Sequence, residues 1–245
     1  MQMDFINKLK QRYSVREYDT ENNITDEQYK QIIEAINSAP TSSNWHASSV
    51  IVVRDKKILA QLGEVNKYTG AIKSCDIFLV FLADYNRVNI AKNTYTEYQY
   101  NNHSSESYTV AVGDAFIQAT TAQDAAISLG LGTCFLGLTR TMVKELNEIL
   151  NIKGQAVPII GLTIGNIKNN GLVKPKMNRV FENKYDFDRL NSDINEYDKS
   201  LIAHFRKLNP DKKAWSYKEA TIKSASSYRM DTKLIEEIWE LELSK

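Results

Sequence analysis

The run "DIFLVFLAD" (residues 76–84) is apolar at every position between its two acids. It is short for a helix and leaves no polar side chain for water, so it predicts a strand covered on both faces. "AVPIIGLTIG" (156–165) has the same character and predicts a second such strand. "SSVIVVR" (48–54) is β-branched and bounded by polar residues, which suits a third. "GTCFLGLTR" (132–140) reads as a buried strand that turns at Gly137.

Helical patterns separate these runs. Phe5, Ile6 and Leu9 recur at helical spacing over residues 3–12. Thr25 and Gln28 form a capping box that opens a helix with Tyr29, Ile32, Ile33 and Ile36 on one face, ending near Pro40. Asp55 caps a helix carrying Ile58, Leu59 and Leu62. "VAVGDAFIQATTAQDAAISL" (110–129) predicts a long helix rich in Ala, Thr and Ser, small enough to let another helix approach closely, as at a bundle centre or dimer axis. A further helix surrounds Val143, Leu146 and Ile149. Three or four strands among many helices, without strict alternation, predict an α+β fold.

Residues 1–190 are expected to form one core, with a Tyr- and Asn-rich excursion near 85–108 and a loop over 166–180. Residues 191–245 read as a helical extension broken by a basic loop at 208–216. The chain's 245 residues, 42% hydrophobic and 25% charged, suit an ordinary globular protein. A net charge of +1 gives no reason to expect nucleic acid. No apolar run reaches the ~18 residues a membrane span needs, and "MQMDFINKLKQR" lacks the apolar centre of a signal peptide. Cys75 and Cys134 have no metal or redox spacing, so a reduced cytoplasmic protein is expected.

Little points to side-chain catalysis. His46, His103 and His204 are scattered, and neither a zinc motif, a nucleophile elbow nor a P-loop is present. Asp114 and Asp124 lie too far apart for a dyad and read as solvated or capping residues. An enzyme built this way needs a cofactor to carry the chemistry. Four segments offer groups that could hold one, although each also reads as ordinary surface or turn. "QRYSVREY" (11–18) sets Arg12, Ser14 and Arg16 on alternate positions, where an extended chain would point them to one side. "APTSSNWH" (39–46) is a hydroxyl cluster after a helix. "GTCFLGLTR" places a glycine where backbone N–H groups could approach a flat ligand. "KPK" (174–176) holds two cations apart with a proline.

In this order the segments resemble the nitroreductase superfamily, specifically its flavin reductase and oxygen-insensitive nitroreductase group. The matching stretches are "RYSVR" (12–16), "APTSSNWHASSV" (39–50), "CFLGLTR" (134–140) and "KPK", with "FLADYNR" (81–87) and "FENKYD" (181–186) as further landmarks. The likeness spans about residues 5–190. Departures are Tyr13 where the group has Arg, Lys176 for Arg, Leu138 for a second glycine and His46 for Gln.

The resemblance implies a nitroreductase-like fold, with a mostly antiparallel central sheet flanked by helices in an intertwined homodimer. It implies FMN held by Arg12, Tyr13, Ser14 and Arg16. Thr41, Ser42 and Ser43 would reach it from the partner subunit, Asn66 is a further contact, Phe135, Leu136 and Gly137 would run along the ring, and Lys174 and Lys176 would complete the cationic set. NADPH or NADH would be the reductant, with Lys207, Lys212 and Lys213 meeting a 2′-phosphate. The expected reaction is ping-pong hydride transfer to nitroaromatics, quinones or free flavin. The alternative is a flavin-binding or storage module without turnover, or another activity of the superfamily.

Overall fold

The structure, a computed structural model, describes residues 5–227 and 232–242. The start of the first expected helix, at residues 3–4, and parts of the expected extension, at 228–231 and 243–245, lie outside the described residues. The chain divides into two compact units, Met1–Gly171 with Met230–Lys245, and Leu172–Arg229.

The first unit is built on four strands, β1 (Ser48–Val53), β2 (Ile77–Asp84), β3 (Gly132–Leu136) and β4 (Ala156–Gly165). Their order is β1-β2-β4-β3 and every pairing is antiparallel. Helices α1 (Phe5–Gln11), α2 (Asp26–Asn37), α3 (Lys56–Glu64), α4 (Gly70–Ser74), α5 (Asn86–Thr94), α6 (Ser105–Ser128), α7 (Val143–Leu150) and α10 (Thr232–Trp239) belong to it. This is the α+β class expected.

The all-apolar run of β2 is explained by its alternation. Ile77, Leu79, Phe81 and Ala83 join one hydrophobic cluster with α2, α6 and α10, while Phe78, Val80 and Leu82 join a second with α3 and α4. Both faces are therefore covered, and each fully buried large side chain contributes about 1.5–3 kcal/mol. β4 is buried along its whole length. Its Pro158 donates no N–H, and the register with β2 shifts between Phe81 and Leu82 beside it.

α2 opens with the expected capping box, since Gln28 N–H donates to Thr25 Oγ1 while Thr25 N–H donates to Gln28 Oε1. Asp55 accepts from the N–H groups of Lys57 and Ile58 at the start of α3. α6 begins five residues earlier than its apolar pattern predicts, because Ser104 caps it by accepting from Ser107 N–H at 3.1 Å. Its small residues Ala111, Ala115, Ala119, Ala122 and Ala126 are fully buried in the cluster that backs the sheet. Close approach is thus used within the chain.

Residues 85–108 are held at several points, while 93–99 are exposed. The 85–108 segment holds α5 and an amide cluster in which the half-buried Asn89 and the buried Asn102 both donate to Gln155 Oε1, at 2.7 and 3.3 Å. Tyr85 stacks on Tyr100 and meets Trp45 and Trp239. Trp239 of α10 is fully buried, its indole N–H donating to Ser107 Oγ at 3.0 Å.

The second unit contains α8 (Arg189–Leu208) and α9 (Tyr217–Ser227). It is pinned locally by Tyr197 O–H donating to the Pro175 carbonyl and by Arg189 stacked over Phe181 at 4.1 Å. Its sequence is strongly basic, with 13 Lys or Arg against 8 Asp or Glu in 172–229. Among the described residues no helix is long and apolar enough to cross a membrane.

Candidate functional site

The basic run after α1 lies against the edge strand β3. Ser14 bridges Thr133 in parallel, and Val15 N–H donates to the Thr133 carbonyl at 3.0 Å. Alternation then buries Val15 and leaves Arg12, Ser14 and Arg16 together on the other side. The Cys134 thiol registers their convergence. Burial pushes its pKa up, and Arg16, Ser14 and Arg12 all act in the opposite direction. Among the described residues neither Arg12 nor Arg16 forms an ion pair with a carboxylate within 4.0 Å. Among the described residues Arg16 donates only to the Ser14 carbonyl, at 3.3 Å. Two guanidinium groups without carboxylate partners, beside a hydroxyl, suit an incoming phosphate. A surface depression adjoins Arg12, lined also by Lys8, Tyr13, Val15, Leu131 and Ile167.

Tyr13 has a different task. Its hydroxyl donates to the Asn169 carbonyl at 3.0 Å, and its ring packs where a Cβ on Gly171 would sit at 2.5 Å. It holds the 169–171 loop.

The hydroxyl loop is organised by a residue that sequence reasoning set aside. Asp114, expected to be solvated or a cap, is 2% exposed in the middle of α6. Its carboxylate accepts from Thr41 Oγ1, from Ser42 N–H at 3.0 Å and from Ala47 N–H at 3.1 Å. Thr41 Oγ1 accepts in turn from His46 N–H at 3.0 Å, so this hydroxyl is fully engaged. Ser42 and Ser43 are exposed. Ser43, Asn44 and His46 all have left-handed backbone, with φ of 46°, 59° and 50°. That conformation costs about 1–2 kcal/mol per residue. Three bonds to a carboxylate, at about 1.5–3 kcal/mol each, are enough to offset it. Arg87 clamps the far side of the loop, donating to the Ser48 carbonyl at 3.3 Å and to Ser49 Oγ at 3.0 Å. The signal available in sequence was a single acid inside an apolar helix, "VAVGDAFI".

The two segments do not meet within one chain. β1 and β3 are opposite edges, three spacings of about 4.8 Å apart. Thr133 lies in register with Ile164 and hence Ile77, whereas Ser48 pairs with Ala83 at the other end of β2, about 20 Å further along. They occupy diagonal corners of the sheet.

Phe135 and Leu136 continue β3 on opposite faces, and Gly137 opens a 3-10 turn, Gly137–Thr141. A Cβ at Gly137 would meet only the Arg140 guanidinium, at 3.4 Å or more, so its approach is open. Asn66 is half-buried, and its Oδ1 accepts from Tyr68 N–H in a local turn. In the second unit, Lys174 and Lys176 are exposed, and Lys174 lies over Phe205 at 5.6 Å. Lys207 and Lys212 are exposed, while Lys213 pairs with Glu219 at 2.5 Å and covers Trp215.

An antiparallel four-stranded sheet flanked by helices, with a basic run seated on its edge strand, defines an α+β fold of a recognisable class. Residues 9–166 match the model of the nitroreductase family, and the chain belongs to that family. It is 34% identical over 220 residues to a Bacillus subtilis protein named FMN reductase [NAD(P)H], covering 87% of this chain and 88% of that one. A Staphylococcus saprophyticus NADPH-dependent oxidoreductase is 31% identical over 92% of each chain. In structure it is similar to the hypothetical oxidoreductase YcnD from Bacillus subtilis, with a TM-score of 0.88, 32% identity, and coverage of 99% and 100%.

Proposed function

We propose that this protein is an FMN-dependent NAD(P)H oxidoreductase, working as a homodimer. The observation that carries the reading is the seating of Ser14 and Val15 against Thr133 at the sheet edge, with Arg12 and Arg16 beside them and neither paired with a carboxylate within 4.0 Å among the described residues. FMN, when bound, supplies the hydride chemistry, so no side-chain nucleophile is required. The names of the relatives support both the cofactor and the nicotinamide reductant.

The chain's own residues have distinct tasks. Arg12 and Arg16 bind the phosphate and the negative charge of the pyrimidine edge. Ser42 and Ser43 orient the cofactor from the partner subunit. That assignment is supported by the diagonal separation of the two segments in one chain and by the apolar side chains Phe116 and Ile117, about 40% exposed on α6. Phe135, Leu136 and Gly137 flank the ring, and Asn66 is a further contact. Nicotinamide and acceptor (a quinone, nitroaromatic or free flavin) use one pocket in turn, which gives ping-pong kinetics.

Purified protein should be yellow, or become so with added FMN, and should oxidise NADPH or NADH with menadione. Colourless protein that binds no added FMN and oxidises neither nicotinamide refutes the reading. FMN binding with turnover no faster than free FMN would leave a storage role.

A further inference from the structure

We propose that Asp114 is a positioning residue of the cofactor site, acting through the hydroxyl loop and never touching the cofactor itself. The inference rests on the reading above that this loop lines bound FMN. Three facts carry it. The carboxylate is buried, and among the described residues every donor to it comes from residues 41–47. No Lys, Arg or His among the described residues pairs with it within 4.0 Å, so its charge is balanced by the loop's own N–H and O–H groups. The loop it fixes is left-handed at Ser43, Asn44 and His46, a shape few side chains adopt unaided.

The division of labour follows from the hydrogen-bond count. Thr41 has one hydroxyl proton and gives it to Asp114, while its oxygen accepts from His46. Thr41 therefore belongs to the support, and Ser42 and Ser43 are the exposed hydroxyl residues of the loop. An asparagine at 114 keeps one acceptor but turns a donor towards N–H and O–H groups that already donate. The loop would then relax towards ordinary backbone and withdraw both serines.

The test uses the full-length protein, stripped of FMN and titrated back with FMN while fluorescence quenching is followed. Asp114→Asn should weaken FMN about tenfold or less, matching the loss of the two serine contacts that the loop presents. Ser42→Ala/Ser43→Ala in the wild-type background should weaken it about tenfold or less, with an unchanged apoprotein Tm. Added to Asp114→Asn, the serine pair should cost nothing more, because the hydroxyls are already displaced. Visible circular dichroism of bound flavin should change in Asp114→Asn and in Thr41→Val alike.

Additive losses from Asp114→Asn and the serine pair would overturn the proposal. So would a lower Tm in Asp114→Asn with FMN affinity and flavin dichroism intact. If Asp114→Asn does not fold, Thr41→Val, which keeps the carboxylate, gives the same reading through affinity and dichroism. Failure of the wild-type protein to bind FMN would instead refute the functional assignment on which the proposal rests.

Discussion

The Val15 N–H donates to the Thr133 carbonyl at 3.0 Å, and this single bond ties a basic loop to the edge of the sheet. An edge strand has unpaired backbone groups to offer. Val15 uses one, its side chain enters the core, and the side chains on either side are turned outward. The site's charge is set by that pleat.

Arg16→Ala should therefore weaken FMN by about 1.5–3 kcal/mol, or roughly ten- to a hundredfold, since it removes one charge-assisted contact to an anion. Arg12→Ala should act similarly. Arg16→Lys should recover only part of the loss, because an ammonium cannot bond in two places at once. Full recovery by lysine would show that only net charge matters there. Flavin titration of each apoprotein decides.

Gly132 tests the seating of the loop without touching a charged group. A Cβ there would sit 2.9 Å from both Val15 Cγ2 and Ile167 Cγ1. Gly132→Ala should destabilise the protein by about 1–3 kcal/mol through overpacking. It should also lower FMN affinity, by displacing Val15 and with it both arginines. A normal Tm with unchanged FMN binding would mean that Val15 does not fix the loop.

Much of this was legible in the chain because it follows from periodicity. The run 76–84 is apolar throughout because β2 serves two clusters, and Thr25 and Asp55 cap the helices their spacing indicates. The hidden parts are those held by polar groups over long separations. Asn102 and Gln155 are buried by bonding one another and the half-buried Asn89, so the points at which residues 85–108 are held carry no apolar pattern. Asp114 meets a loop some seventy residues away, which spacing along a helix does not reveal. Trp239 returns to the first unit after the whole of the second has intervened.

Asp124 bears on Arg12 from α6. Burial raises its pKa, and Arg12 opposes the rise. A carboxylate that interacts with the guanidinium, although no ion pair within 4.0 Å forms between them, also repels any phosphate that Arg12 holds. Asp124→Asn should tighten FMN about two- to fivefold at low salt, and the gain should fade as ionic strength shortens the screening length. Unchanged or weaker binding at low salt would show that the carboxylate serves to orient Arg12.

Asp76 gives the protein a pH signature of the less common sign. Burial pushes its carboxyl above the usual 3.8, against the Ile24 N–H, which donates at 3.1 Å, and Lys56, at 3.8 Å. The folded state therefore keeps the proton to higher pH than the unfolded chain does. Its contribution to stability falls as pH rises from 3.8 through the folded value, then levels off. Relative to wild type, Asp76→Asn should gain Tm across that window. A Tm difference that does not vary with pH would show that Asp76 titrates alike in both states.

The basic loop between α8 and α9 separates its lysines by what they already touch. Lys213 is paired with Glu219 and lies over Trp215 at 4.5 Å, with Lys223 over the same ring at 4.1 Å. Lys212 is exposed, and its ammonium meets no acceptor among the described residues. Binding a 2′-phosphate at Lys213 would first require breaking its pair, whereas Lys212 has only water to give up. Exposed pairs of this kind are worth about 0.2–1 kcal/mol, so the handicap is at most several-fold. Lys212→Ala should therefore reduce kcat/KM for NADPH about three- to tenfold while leaving NADH unaffected, a loss of one partly solvated phosphate contact. Lys213→Ala should cost less, and Glu219→Gln, by releasing Lys213, should raise NADPH over NADH discrimination above wild type. Equal discrimination in all three variants would remove this loop from nicotinamide recognition and leave the choice between NADPH and NADH to groups elsewhere in the chain.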